Sequence, residues 1–396
     1  MSVSPGPAPN APSERGGRLT AALRRVPFLP TAVRWFRSTF LRHRINACIL
    51  EGHERASGAP LRVFFAGQLE NRNYFANIAF APGRVETDME PVWRWNAFRR
   101  ARRACPDADI TCVQMDHRMQ RFFHGDRRFF VPAWLTCWMD VPSDVAALKH
   151  NSRLEDDLRR IRKQKFTYQV STDRATLERF YTAMYLPYIR QNYGERAFVE
   201  PYENLQREWS SCKLISILKQ DAAVAGVVLR HDASGHAHAW VLGVRDGDRE
   251  LVRNGVIAAV YFFFLEYLSS HGYRGLDVGD ARPFLRDGVL RYKRKWGARI
   301  TGPYNAEPGF MLAFGKAGNA AAAFLLNNPF VALEDHRLVG LIFHDAADAT
   351  TEAEMDARCR EHYCAGINDM RLLSVSSAAW LARLGERRVG ASAPDD

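Results

Sequence analysis

The stretch RGLDVGDARPFLRDGVLRYKRKWGARITGP, from Arg274 to Pro303, decides how this chain folds. GLDVG is a short apolar run that contains one acid and is bounded by glycines, which is typical of a buried strand. FLRDGVLRYKRKWG then has helical spacing and a basic end, and an extended pattern resumes at Ala298. A strand, a helix and a second strand in this order predict a mixed α/β fold.

The residues upstream continue this pattern. KLISILKQ and AAVAGVVLRHD predict antiparallel strands joined by a tight turn at Gln220–Asp221. GHAHAWVLGVRD predicts a third strand, and a helix is expected from about Asn254 to His271. Earlier in the chain, ATLERFYTAMYLPYIRQNYG predicts a helix that Pro187 kinks or breaks, and YENLQREWSS predicts a second short helix.

Particular residues of the opening stretch add a motif to this order of elements. They are Gly272, Asp277, Gly279, the pair Tyr292–Lys293 and the pair Trp296–Gly297. In this order and spacing they resemble the FemAB/CelD-like branch of the GNAT acyltransferases. DLRRIRKQKFTYQV is similar to the arginine-rich segment that opens the domain in that branch. The resemblance covers about residues 150–315 and implies a mixed sheet in which the strands HAHAWVLGV and GLDVG part to admit an activated acyl donor.

Acyl transfer requires a base for the acceptor's proton and positive or N–H groups that face the oxyanion. The candidate catalytic residues are Asp277, Asp280 and Tyr292, and the candidate substrate-binding residues are Arg282, Lys293 and Trp296. Three of them have a simpler interpretation. Lys293 lies in a charge run that would suit a solvated helix face, Tyr292 suits a packed aromatic, and Asp277 suits an ion pair with Arg282 or Lys293.

The resemblance also implies a donor site at the end of HAHAWVLGV and the start of the next helix. Its candidate residues are Val241, Gly243, Val244, Arg249, Arg253, Asn254 and Gly255. The turn departs from the usual glycine-rich pattern, because Val252 stands three residues before Gly255. The donor is therefore expected to be acyl-CoA or another activated acyl donor, with aminoacyl-tRNA as an alternative.

Composition divides the chain into five parts. Residues 1–17 are rich in proline, serine and glycine and predict a disordered tail, and 18–60 a basic amphipathic arm. Residues 61–145 predict a smaller N-terminal α/β lobe, for which a degenerate second GNAT-like copy is one interpretation. Residues 146–316 predict the GNAT-like domain, which closes with an extended pair between Ala298 and Phe314. Residues 317–396 predict a C-terminal α/β extension of strand, helix, strand and helix with a frayed end.

The net charge of +11 is concentrated at the start, where residues 1–45 hold eight arginines and one acid, Glu14. This arm would suit an anionic membrane, a polyanion such as tRNA, or its own domain. The chain has no apolar run of spanning length and no secretory signal, and its seven cysteines are an odd number. A cytoplasmic protein with reduced cysteines is predicted, with membrane-peripheral association as an option.

No metal is expected, because His236 and His238 lack an evident third ligand and CREHYC lacks zinc spacing. Serine hydrolase and P-loop motifs are absent from the sequence. The leading hypothesis is an acyltransferase that acylates an amine or hydroxyl of a small-molecule, lipid or cell-envelope precursor acceptor. The alternative is a non-catalytic GNAT-like scaffold that binds an anionic membrane surface or nucleic acid through its basic arm.

Overall fold

The computed structural model describes residues 43–123, 128–194, 199–301, 308–315, 318–345, 351–375 and 387–389. Its strands form sheets of six, seven and four strands with helices packed against them, which confirms the predicted mixed α/β class. The strands are β1 (Arg44–His53), β2 (Pro60–Ala66), β3 (Val85–Trp93), β4 (Ile110–Asp116), β5 (Arg128–Pro132), β6 (Leu135–Asp140), β7 (Thr167–Ser171), β8 (Cys212–Lys219), β9 (Ala222–His231), β10 (His236–Val244), β11 (Gly275–Ala281), β12 (Arg299–Thr301), β13 (Pro308–Phe314), β14 (Phe330–Glu334), β15 (Arg337–Asp345), β16 (Asp369–Val375) and β17 (Arg387–Val389).

The α-helices connect these strands and cover the sheets. They are α1 (Leu69–Ala79), α2 (Ala97–Ala104), α3 (Glu155–Gln164), α4 (Arg174–Phe180), α5 (Leu186–Tyr193), α6 (Tyr202–Arg207), α7 (Arg249–Arg253), α8 (Val256–Ser270), α9 (Gly288–Lys295), α10 (Asn319–Asn327) and α11 (Glu352–His362). Within the described ranges, no helix combines the length and the apolar character needed to span a bilayer.

The seven-stranded sheet has the order β12-β6-β11-β10-β9-β8-β7 and contains the strands predicted around the opening stretch. The β8–β9 hairpin turns at Gln220 and Asp221, whose φ angles of 50° and 61° are those that a tight hairpin turn requires. The following helix, α8, is apolar almost all round and is buried along most of its length. The hairpin and helix predictions are confirmed.

The predicted kink at Pro187 is a turn of π-helix, Tyr181–Tyr185, between α4 and α5. Proline has no N–H to donate, so a regular α-helical bond cannot be made there and the wider turn relieves the strain. The π turn rests directly on β10 at Gly243, where a Cβ atom would lie 2.5 Å from the backbone nitrogen of Tyr185. This close approach brings Tyr185 to the end of β10.

The six-stranded sheet has the order β3-β1-β2-β4-β13-β5. Its first strand begins at Arg44, whereas the sequence placed the start of the folded part near Leu61. Residues 44–53 therefore form a strand rather than part of the basic arm, because Ile45, Ala47 and Cys48 are buried and β1 pairs with β2 along its length. The rest of the predicted arm, and the predicted tail, lie outside the described residues.

The two large sheets exchange strands. β6 comes from the N-terminal part of the chain but lies between β12 and β11 in the seven-stranded sheet. β13 comes after that sheet in sequence but lies between β4 and β5 in the six-stranded sheet. The prediction that Ala298–Phe314 form a closing extended pair is therefore wrong, since β12 and β13 join different sheets. Sequence order could not reveal this, because the pairing partners lie far away in the chain.

The two sheets repeat one pattern of strand directions. In the seven-stranded sheet, β9-β10-β11-β6-β12 pair as antiparallel, parallel, antiparallel and antiparallel neighbours. In the six-stranded sheet, β1-β2-β4-β13-β5 pair in the same sequence of directions. In each case the fourth strand of the series is the exchanged one. This repetition supports the interpretation of the N-terminal lobe as a second copy of the same architecture.

The C-terminal part forms a four-stranded sheet of its own with the order β14-β15-β16-β17. The predicted strand, helix and strand correspond to β15, α11 and β16. The sequence missed α10 and β14, whose apolar residues are buried against the six-stranded sheet's core. The predicted last helix falls on residues 378–386, which lie outside the described residues, and on β17.

Candidate functional site between two parting strands

The parallel strands β10 and β11 pair over three residues and then separate. Their register runs from His236↔Gly275 to His238↔Asp277 and stops there. Both strands carry an irregularity at this point. The β10–β9 register shifts between Ala239 and Val241, and the β11–β6 register shifts between Asp277 and Asp280. A bulge bends its strand, so a bulge on each neighbour opens the gap that the resemblance predicts.

A cavity of about 620 Å³ occupies this gap. Its walls come from the parted ends of β10 and β11, the first turn of α8, helix α9, and the tyrosine-rich segment around the π turn. The lining residues used below are Asp157, Arg160, Tyr185, Glu200, Ala239, Trp240, Val241, Gly255, Tyr261, Gly279, Asp280, Tyr292 and Lys293. Beyond His238, the β10 backbone groups on the β11 side pair with no strand among the described residues, so they are available to a ligand.

Lys293 is the buried cation of this cavity. Its side chain is on α9 and only 7% of the residue is exposed. The Nζ atom donates a hydrogen bond to the backbone carbonyl of Asp280 at 2.8 Å and makes no ion pair within the described residues. Burial lowers the pKa of the Lys293 amine below its usual range, because water no longer solvates the charged form. The simpler interpretation of Lys293 as part of a solvated helix face is thus wrong.

Two carboxylates flank the bulge on β11. Asp277 is half-buried, and its Oδ1 accepts the backbone N–H of Gly279 at 2.8 Å. Asp280 is exposed at the cavity, and its Oδ1 accepts the Thr136 hydroxyl at 3.0 Å. Gly279 has a φ of +76°, a conformation that residues with a Cβ rarely adopt, so glycine is required for the turn that places both acids. Asp277 pairs with neither Arg282 nor Lys293, so its predicted ion pair is wrong.

Tyr292 lies on α9 one residue before the buried lysine. Its hydroxyl is buried and makes no well-formed hydrogen bond in the described part of the chain, although the Trp296 side chain lies close enough to lower its pKa. Burial raises the pKa of this phenol, so it stays protonated at neutral pH.

Two predicted substrate-binding residues lie away from the cavity. Trp296 is 2% exposed and packs on Tyr261, with ring centroids 5.6 Å apart, so it is a core residue. Arg282 is stacked against Trp134, with its guanidinium carbon 3.5 Å from the ring centroid. It donates to the side chain of Asn71 at 2.7 Å, which joins the two large sheets. Burial lowers the pKa of Arg282 to about 10.

The predicted donor residues are divided by the structure. Val241 and Gly255 line the cavity, and Gly255 has a φ of +90° at the N-cap of α8. Gly243 lies beneath the π turn and Val244 is buried in the core, so neither residue lines the cavity. The three other predicted residues lie on or just after α7 and do not line the cavity. Arg249 and Arg253 are exposed, and Asn254 is half-buried.

Three charged lining residues were missed by the sequence analysis. Asp157 is 5% exposed and forms an ion pair with Lys295, in which Nζ lies 2.8 Å from the carboxylate. Arg160 packs its side chain against Gly255, and Glu200 accepts the Asn204 amide at 2.7 Å. Asp157 and Arg160 belong to the arginine-rich segment DLRRIRKQK and its first turn, so this segment carried the signal. Glu200 carried no such signal.

His238 also lies near the site, opposite Asp277 in the strand register. Its Nδ1 is 3.3 Å from an Arg230 nitrogen, and because arginine can only donate, Nδ1 is the acceptor. Burial lowers the pKa of His238, and the charge of Asp277 opposes this shift. In the described residues, no third ligand joins His236 and His238 to form a metal site.

The equivalent strands of the six-stranded sheet, β2 and β4, pair to Ala66↔Val113, and the Gln114 side chain packs against Gly67 just beyond. A Cβ atom on Gly67 would lie 2.8 Å from Gln114 Oε1, which also accepts the Gln68 backbone N–H at 2.8 Å. The interpretation of the N-terminal lobe as a degenerate second copy stays a prediction.

Comparisons with known proteins give structural likenesses at low identity. No family model and no curated protein matches the chain. The structure of L-PGS from Bacillus licheniformis is 12% identical with a TM-score of 0.34, over 72% of this chain and 88% of that one. A GCN5-related N-acetyltransferase from Sphaerobacter thermophilus is 12% identical with a TM-score of 0.29, over 74% and 89%. A GCN5-related N-acetyltransferase-like protein from Streptococcus suis is 13% identical with a TM-score of 0.28, over 75% and 97%.

The FemAB/CelD-like branch stays a prediction, carried by the motif residues of the opening stretch.

Proposed function

We propose that the protein transfers an acyl or aminoacyl group from an activated donor to an amine or hydroxyl of an acceptor. The observation that supports this most is the gap between β10 and β11, where unpaired backbone groups lie in one cavity with a buried lysine. A closed sheet would offer neither the space for a donor nor free N–H groups for a carbonyl oxygen.

In this proposal, the reactive end of the donor lies between the parted strands. The β10 backbone beyond His238 donates to the acyl carbonyl and stabilises the negative charge that develops on its oxygen. An anionic part of the donor lies at the N-terminus of α8, where Gly255 and Arg160 line the cavity. Acyl-CoA is the donor tested first, with aminoacyl-tRNA as the alternative.

The remaining groups handle the proton and the charge. Asp280, exposed at the cavity, accepts the proton of the attacking amine or hydroxyl. Tyr292, kept protonated by burial, donates a proton to the leaving group. Lys293 offers its remaining N–H groups to the developing negative charge, while its bond to the Asp280 carbonyl fixes its position. Asp277 holds the bulge through Gly279 and so positions Asp280.

Filling the gap tests this proposal. Ala239 lines the cavity and is half-buried, so Ala239→Phe places a ring where the donor would lie. Ala222→Phe, at an exposed position on β9, is the matched control. We expect wild type and the control to bind one member of an acyl-CoA panel, measured by calorimetry, and Ala239→Phe to bind it at least tenfold more weakly. If wild type binds neither acyl-CoA nor aminoacyl-tRNA, the proposal fails.

A further inference from the structure

A second cavity, of about 840 Å³, lies on the other side of α9. It is bounded by α9 and the turn after it, by the end of α11 with Tyr363 and Ala365, and by Arg153 from the segment before α3. Gly288 and Tyr292 line both this cavity and the one between β10 and β11. One helix therefore forms the wall between the two cavities, and Tyr292, whose hydroxyl makes no well-formed hydrogen bond in the described residues, belongs to that wall.

The charges around the second cavity are unbalanced. Its lining includes five cations and a single carboxylate, Glu361. The cations are Arg153, Arg291, Arg294, Lys295 and Arg360. The first cavity differs, because there Arg160 and Lys293 face three carboxylates, those of Asp157, Glu200 and Asp280. A cavity that gathers like charges loses stability through their repulsion unless an anion binds there.

Local structure accounts for only two of the five cations. Lys295 is neutralised by Asp157, and Arg294 donates to the backbone carbonyls of Glu361 and Tyr363 at 2.8 and 3.1 Å. Arg153, Arg291 and Arg360 make no ion pair and no side-chain hydrogen bond within the described residues. Burial lowers the pKa of Arg294, and the charges of Arg291 and Arg153 lower it further, so these guanidinium groups share one electrostatic environment.

We propose that this cavity binds a phosphate group of the acceptor, next to the cavity in which acyl transfer takes place. Guanidinium groups present several donors in a planar fork and bind phosphate through two parallel hydrogen bonds, which suits them to this ligand better than to a neutral one. The assignment of the phosphate to the acceptor rests on the proposed function, whereas phosphate binding at this cavity does not depend on it. The phosphate belongs either to a soluble phosphorylated metabolite or to a lipid headgroup.

The test uses the full chain and two probes. One is sn-glycerol 3-phosphate, measured by calorimetry. The other is vesicles of phosphatidylglycerol, measured by sedimentation against vesicles of phosphatidylcholine. The variant R153S/R291S removes two unpaired cations from the cavity, and R99S/R102S removes the same charge from exposed positions on α2. Thermal melts check that both variants keep the wild-type fold, as expected for exposed arginines.

We expect wild type to bind at least one probe and R153S/R291S to bind it at least tenfold more weakly, since each lost contact is a charge-assisted hydrogen bond. R99S/R102S should bind within about twofold of wild type. Binding of glycerol 3-phosphate would identify a soluble acceptor, and binding of the vesicles alone would identify a lipid headgroup. Absence of binding to both probes, or equal weakening by both variants, overturns the proposal.

The two proposals fail in different ways. If Ala239→Phe and wild type are alike toward acyl donors while the phosphate result holds, the acyl-transfer proposal fails and the phosphate site stands. If R153S/R291S binds the phosphate probe like wild type while Ala239→Phe loses the donor, the phosphate site fails and the transfer proposal stands.

Discussion

Replacing Lys293 by methionine removes the buried charge and keeps nearly the same volume. The side chain has one hydrogen bond, at 2.8 Å to the Asp280 carbonyl, and 7% exposure, so methionine leaves no large hole. If Nζ faces the charge that develops during transfer, its loss removes one preorganised donor. Such a loss costs on the order of 10²- to 10³-fold in kcat, or about 2.7–4 kcal/mol.

The same variant makes a prediction about stability, with an explicit sign. The folded pKa of Lys293 lies below its ordinary value of 10.5, so between the two values the unfolded chain binds more protons. Wild-type stability therefore rises with pH across that window, and the cost of burying the charge is fully present below the folded pKa. Lys293→Met avoids this cost, so it should gain stability relative to wild type at pH 7 and lose that advantage as pH approaches 10.5.

Two measurements check this reasoning. Steady-state transfer with the acyl-CoA selected in the binding panel gives kcat, and urea unfolding at pH 7 and pH 10 gives the free energy of unfolding. Lys293→Arg keeps the charge and is the control for its role. Wild-type kcat in Lys293→Met, with the same pH dependence of stability as wild type, would refute both the role and the burial of the charge.

The other predictions concern neighbouring residues. Asp280→Asn should lower kcat about tenfold or more without changing the melting temperature, because the carboxylate is exposed; an unchanged pH–rate profile would contradict its role as base. Gly279→Ala should destabilise by about 1–2 kcal/mol in urea unfolding, since φ is +76°; a smaller loss would mean that the bulge relaxes. Tyr292→Phe should keep or slightly raise stability, because its hydroxyl makes no well-formed hydrogen bond in the described residues, and should lower kcat in the transfer assay; equal kcat would assign Tyr292 to packing alone. Asp157→Asn should destabilise by about 2 kcal/mol through the loss of its ion pair with Lys295, and Lys295→Met should restore part of that loss in a double-mutant cycle.

Local patterns in the sequence predicted the elements that form local contacts. The β8–β9 hairpin, the apolar helix α8 and the helix α9 follow from turn residues and periodicity, since each is decided by residues close together in the chain. The parting of β10 and β11 was expected from the resemblance, and the placement of Lys293 beside β11 follows from the short connection between that strand and α9.

Contacts between distant segments decided what the sequence could not show. Arg282 was expected in the substrate site, yet its partner Asn71 lies on α1, a helix that packs against the six-stranded sheet. Asp157 lines the cavity and forms an ion pair with Lys295, which lies 138 residues later in the chain. No periodicity encodes such pairings, because they depend on how the two sheets are joined. The same reason explains why Ala298–Phe314 was wrongly predicted to form a closing pair, since β12 and β13 belong to different sheets.

The reciprocal placement of β6 and β13 has a consequence for how the molecule comes to exist. Neither half of the chain should fold by itself, because each would lack an interior strand of its sheet and expose two unpaired strand edges. During synthesis, the six-stranded sheet can be completed only after Pro308–Phe314 has been translated, because this strand lies between β4 and β5. Cutting the chain between the halves should thus yield two aggregation-prone fragments rather than two independently folding domains.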